Sequence, residues 1–237
     1  MRRHKLHIKE TIATIIAEDK CIPAAREEVR CRRQDLEDYI AKNPAFSTTL
    51  KPCEVSPHAP EIVQKMASTS AKAGTGPMAA VAGAIAEYAV RAMIDAGASH
   101  VIFDNGGDIA MFLSSPVIVG IYAGKPGIKG LGFRFEPRDE IIGICTSSAT
   151  VGHSLSFGRA DAAVVVSSDV ILADVVATAL GNAVKNNKSK QIEDSLNTLM
   201  IDGIEGMMAV IGDSVGICGS LPEFCRADVD YNLISRG

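Results

Sequence analysis

Tryptophan is absent from the 237 residues, tyrosine occurs four times, and no charge sign dominates: 24 Lys+Arg stand against 28 Asp+Glu. A chain of formal charge −4 with so few stacking side chains is not built to bind nucleic acid by neutralising phosphates. A long apolar run is missing too. The longest uninterrupted one, Met78 to Ala86, falls far short of the roughly 18 residues that cross a bilayer. After the basic start Met1-Arg2-Arg3-His4-Lys5, the stretch that a secretory signal would need is broken by Lys9, Glu10, Thr11 and Thr14. The pattern predicts a cytoplasmic chain with neither membrane nor nucleic acid as partner. Finally, no two of the six cysteines are spaced as Cys-x-x-Cys, so neither a zinc knuckle nor a thioredoxin-type pair is suggested. Six unpaired thiols, most of them buried, are expected.

What is present is a globular composition, 47% hydrophobic and 22% charged, long enough for a sizeable core. Residues 6 to 17, rich in Ile and Thr, read as an opening strand or hairpin, and residues 23 to 41 as a charged helix opened by Pro23. Four prolines in residues 44 to 60 mark a loop, and a possible lobe boundary within a single domain. Helices are expected over 59–73, 77–96, 170–184 and 189–200. Strands are expected over 99–103, 109–113, 117–122, 141–145 and 162–167, with a closing hairpin over 207–218. Because strands come in adjacent pairs between helices, the fold class is α+β with a largely antiparallel sheet.

Four places could carry chemistry. Asn105-Gly106-Gly107-Asp108 follows a strand; its two glycines can expose N–H groups to an anion, or simply close a tight hairpin. Thr146-Ser147-Ser148, with Gly152-His153 close behind, offers hydroxyls for a phosphate and an imidazole for a proton, or is a plain exposed loop. Asp174 and Thr178, one turn apart on an apolar helix, present two hard oxygen ligands suited to Mg²⁺. The alternative there is that Asp174, Thr178, Gly181 and Lys185 form only the solvent stripe of that helix. Gly74-Thr75-Gly76-Pro77 opens the long Ala-rich helix and is either a phosphate-binding N-terminus or a cap.

In order along the chain, three stretches resemble the ApbE-like superfamily of FAD:protein FMN transferases. They are Gly83-Ala84-Ile85-Ala86-Glu87-Tyr88-Ala89-Val90, Asn105-Gly106-Gly107-Asp108-Ile109, and Thr146-Ser147-Ser148 with Ala173-Asp174-Val175-Val176-Ala177-Thr178-Ala179-Leu180. The likeness covers roughly residues 76 to 184. It implies a T-fold-type antiparallel sheet with helices packed on it, and a flavin nucleotide held near Asn105, Gly106, Gly107 and Asp108 and the hydroxyls of Thr146, Ser147 and Ser148. It also implies Mg²⁺ on Asp174 and Thr178, with FAD as ligand or substrate. In that chemistry FMN passes from FAD to a hydroxyl of an acceptor protein and AMP leaves, with His153 placed to contact the accepting hydroxyl. Ala82-Gly83 stands where the family has Lys-Gly, and His153-Ser154-Leu155-Ser156-Phe157 where it has His-x-x-Asp-Pro. A non-catalytic flavin or nucleotide binding or regulatory module on the same fold is therefore the alternative.

Overall fold

β1 (Arg2–Ile8) and β2 (Thr11–Ala17) pair in register through a tight turn in which Lys9 takes a positive φ of 51°. They belong to a computed structural model that describes residues 1–122, 130–148 and 158–227. The charged helix α1 (Ile22–Lys42) buries only Ile22, Ala25, Val29 and Leu36 and sets Arg32 with Glu28 and Arg33 with Glu37 in half-buried ion pairs. The proline-rich stretch then carries a one-turn helix, α2 (Ala45–Thr48), anchored by buried Phe46. α3 (Glu61–Ala73) ends on Gly74, whose φ of 69° supplies the left-handed cap.

A 3₁₀ turn, Pro77–Ala80, runs into α4 (Val81–Asp95). Five strands follow: β3 (Val101–Asn105), β4 (Asp108–Phe112), β5 (Val117–Gly120), β6 (Leu131–Phe135) and β7 (Ile142–Ser147). After β8 (Ala162–Ser167) come α5 (Val170–Ala183) and α6 (Ser189–Leu199). The chain closes with β9 (Ile204–Ile211), β10 (Ser214–Gly219) and β11 (Glu223–Arg226).

Eight strands make one sheet in the order β1-β2-β3-β4-β7-β8-β9-β10, and β11-β6-β5 make a second. Among the described residues every pairing is antiparallel, so the fold is α+β with helices packed on an antiparallel sheet, as the paired strands predict. Strands alternate faces, and each face of the large sheet has its own core. On one side Phe103, Ala110, Cys145, Ala163 and Val165 meet the helices; on the other Ile102, Met111, Ile144, Val164 and Met208 meet Phe133 and Phe135 of the small sheet.

β6 and β11 fall outside the expected strands, because each is short and interrupted by charge or glycine. The cysteines are unpaired as expected, but only Cys21 and Cys145 are buried; Cys31 is exposed and the other three are intermediate. The helical run Pro77–Asp95 is long and apolar enough to cross a bilayer by length and composition. Here 56% of that run is buried inside the protein, where α4 packs on α1, α5, β3 and β4.

Candidate functional site

Small residues let α4 and α5 come together more closely than ordinary helices do. A Cβ at Gly83 would stand 2.7 Å from Asp174 Cβ and 2.8 Å from the Val170 carbonyl oxygen, so only glycine fits there. That approach brings the Asp174 carboxylate to the first turn of α4, where Oδ2 accepts the Gly83 N–H at 2.7 Å. In return, Glu87 of α4 reaches the first turn of α5, and its Oε2 accepts the Val170 N–H at 3.1 Å. Each helix thus receives an acid from the other at its N-terminus, where unsatisfied N–H groups and the macrodipole favour negative charge. The Asn105 amide adds a third tie, donating to the Ala82 carbonyl at 3.1 Å.

Asp174 is 6% exposed, which removes it from any solvent stripe. Burial pushes its carboxyl up to about 7, against the N–H groups of Gly83 and Ala82 that hold it down. Asp108, at the start of β4, is raised well above the usual carboxylate range by burial and then by the Asp174 charge. The Cys145 thiol beside them donates to the Val170 carbonyl at 3.6 Å, and burial with the two acids raises its own pKa well above the ordinary value. Two neighbouring carboxylates in a poorly solvated place resist ionising together unless a cation joins them.

Asp108, Asp174 and Thr178 line one cleft of about 810 Å³, within the range of small-molecule sites. Its walls come from the 47–50 segment, the Gly74-Thr75-Gly76 loop, α5 and α6. Thr49, Thr75, Ser195 and Thr198 supply hydroxyls, while Met78, Val81 and Leu199 supply apolar surface. Among the described lining residues the charged groups are Asp108, Asp174 and Asp194, all acids, with no Lys or Arg. An anionic ligand entering such a cleft needs a cation with it. The donor set of carboxylates plus a hydroxyl is hard oxygen, which fits Mg²⁺ sharing its shell with water and phosphate. Among the described residues no group of three or more His, Cys, Asp or Glu is clustered for a metal, so a cation here relies on ligands from outside.

Among the described residues, Asn105, Gly106, Gly107, Thr146, Ser147 and Ser148 do not line the cleft. Gly106 and Gly107, with φ of 75° and 104°, form the two-residue turn joining β3 to β4, and the Asp104 carboxylate accepts the Gly107 N–H at 3.0 Å. Thr146 and Ser147 end β7, Ser148 follows, and Ser147 faces α5 where Gly181 leaves room for it: a Cβ there would lie 3.0 Å from Ser147 Oγ. His153 lies outside the described residues. The contributions of Thr49, Gln191, Asp194 and Thr198 were not legible in the sequence. On α6 the polar residues Gln191, Asp194 or Ser195, and Thr198 do recur at the spacing of one helical face, which is the signal that marks that wall.

Comparison with known proteins places these features. Residues 1–200 match the family described as AbpE bacteria. UPF0280 proteins of Methanocella arvoryzae and Methanococcoides burtonii are 49% and 46% identical; the alignments cover 98% and 100% of this chain and 95% and 100% of those proteins. Among solved structures, a mutant of the flavin transferase ApbE from Vibrio cholerae superposes with a TM-score of 0.59 at 12% identity, over 93% of this chain and 98% of that one. The ApbE protein of Thermotoga maritima gives 0.53 at 11% identity over the whole of both chains. At such identities the structural likeness speaks for the fold. The chain belongs to the AbpE bacteria family, as an ApbE-like protein of the UPF0280 group.

Proposed function

We propose that the cleft binds a flavin nucleotide, FAD, together with Mg²⁺, and that the protein transfers FMN to a hydroxyl of an acceptor protein with loss of AMP. The observation that carries this reading is the Asp108–Asp174 pair, Asp174 buried and Asp108 half-buried, facing a cleft whose described lining has no basic side chain. Asp174 and Thr178 would hold the cation, with Asp108 adding charge beside it. When bound, Mg²⁺ neutralises and polarises pyrophosphate oxygens. The protein's own part is to fix its ligand oxygens: the Gly83 N–H orients the Asp174 carboxylate, and the packing of α5 on α4 keeps Thr178 one turn further on. The hairpin residues Asn105, Gly106 and Gly107 and the hydroxyls of Thr146, Ser147 and Ser148 shape the flavin end beside the cleft, and His153 contacts the accepting hydroxyl.

A second reading, binding without transfer, is favoured by one feature: Asp174 already satisfies the N-terminus of α4, a structural task that needs no metal. Incubating the purified protein with FAD, with and without Mg²⁺, and following flavin absorbance and released AMP separates the two. Flavin retained with AMP release in the presence of a Thr-bearing acceptor supports transfer. Flavin retained without AMP over long incubation supports the second reading. No flavin retained in either condition overturns both.

A further inference from the structure

The two ends of the eight-stranded sheet are finished differently. β1 carries Arg2, Arg3 and Lys5, the charges by which natural sheets keep an edge from pairing. β10, Ser214-Val215-Gly216-Ile217-Cys218-Gly219, has no charge and no proline, and among the described residues no strand pairs with its outer side. Its odd-numbered residues continue the apolar core between the two sheets. Val215 lies opposite Val210 and Ile217 opposite Met208, both buried, yet Val215 and Ile217 are 47% and 51% exposed. Its even-numbered residues are small and face α6: a Cβ at Gly216 would collide with Ile192 and Leu196. Between α6 and β10 runs a groove of about 280 Å³.

We propose that β10 pairs antiparallel with β10 of a second copy of this chain, across a two-fold axis at Gly216. An axis perpendicular to the sheet keeps each face on its own side, so opposed residues must share parity, and centring it on Gly216 matches both large apolar residues of β10, where a centre on Val215 or Ile217 would match only one. Val215 then faces Ile217 of the partner subunit, and Gly216 faces Gly216 of the partner subunit. Apolar side chains meet on the core side, and only Ser, Gly and Cys side chains meet beneath α6. Charge decides between the two edges as sites for a second copy. Self-pairing of β1 would set Arg3 and Lys5 against their equivalents, whereas self-pairing of β10 opposes no like charges.

Light scattering on the full chain at micromolar concentration tests this. A dimer is expected, and Ile217→Lys, at an exposed position that leaves the fold intact, should give a monomer with unchanged circular dichroism. Register is tested separately with Val215→Cys and Ile217→Cys. Under mild oxidation a covalent dimer should form when the two variants are mixed, and neither alone should exceed the wild-type background. A monomeric wild type, a dimer that survives Ile217→Lys, equal cross-linking in the unmixed variants, or a monomer whose edge captures an unrelated extended peptide would each overturn the proposal.

Discussion

On the small-sheet side of the large sheet, Ile102, Met111, Ile142, Ile144, Val164 and Met208 meet Phe133 and Phe135 through apolar contact. On the helical side, α4 and α5 approach through Gly83 and bury Glu87 and Asp174, and the start of β4 adds Asp108 to them. Both sides are well packed, but their energetics differ in kind. The apolar side gains stability from every methylene it hides. The helical side spends part of its gain on desolvating carboxylates, recovering some of it through N–H groups of the opposite helix. Asp108 and Asp174, raised acids that line a cleft, make this the side on which the proposed function rests, and the other side shows what the same sheet does without such groups.

The comparison breaks most visibly on the apolar side. Phe133→Ala removes a fully buried ring between the sheets and should cost about 3–5 kcal/mol in chemical denaturation. Flavin retention by the fraction that remains folded should be unchanged. Gly83→Ala strikes the other side. Its new methyl has to push α5 away from α4, which should cost about 1–3 kcal/mol against the helix propensity it gains. Unlike the first change, it should also lower Mg²⁺-dependent flavin retention measured at matched folded protein, because Asp174 moves with α5. Equal retention in both variants would mean that the helix approach serves packing alone.

That contrast also explains what could be read from the chain. Strands such as Ala162–Ser167 and helices such as Val170–Ala183 declare themselves by local composition, and the α+β class follows from their order. β6 and β11 do not, since Leu131–Phe135 is held between β5 and β11, and Glu223–Arg226 pairs with it where Phe224 meets Phe133, a residue 91 positions earlier. At the site, the one-turn spacing of Asp174 and Thr178 was visible. Their surroundings were not: the Gly83 N–H that fixes Asp174 is 91 positions away. The 47–50 segment, expected to be a loop, supplies one wall of the cleft and is held there by Phe46.

Removing one charge from the helical side sharpens the comparison further. In Asp174→Asn the side-chain carbonyl can still accept the Gly83 N–H, while the charge that would hold a cation is gone. Mg²⁺-dependent flavin retention should fall at least tenfold, with stability at pH 8 unchanged or higher by ~1 kcal/mol. The pH dependence carries the sign. Asp174 has a folded pKa of about 7, above its ordinary 3.8, so between these values the folded protein holds the extra proton. In metal-free wild type, stability should therefore fall as pH rises from about 4 to 7 and level off above. Asp174→Asn should flatten that decline, leaving a residual slope from Asp108, and Mg²⁺ should counteract it in wild type by favouring the ionised pair. Thermal melts in chelator across this range decide it, and an identical slope in the variant would remove Asp174 from the account.

The smallest effect is expected at Thr178, and it distinguishes a ligand from a bystander. Thr178→Val keeps the β-branched shape on α5 and deletes only the hydroxyl, at a half-buried position lining the cleft. Stability should stay within about 0.5 kcal/mol of wild type, as for a side chain whose hydroxyl is open to solvent. A neutral hydroxyl is a weaker hard ligand than a carboxylate, and water can take its place in an octahedral shell. The Mg²⁺ concentration needed for half-maximal flavin retention should thus rise only a few-fold, with full retention recovered at saturating Mg²⁺. Recovery by added metal is the outcome that a steric or folding defect would not produce. A loss that Mg²⁺ does not restore would assign Thr178 to the shape of the cleft, and an unchanged Mg²⁺ requirement would take it out of the cation's shell.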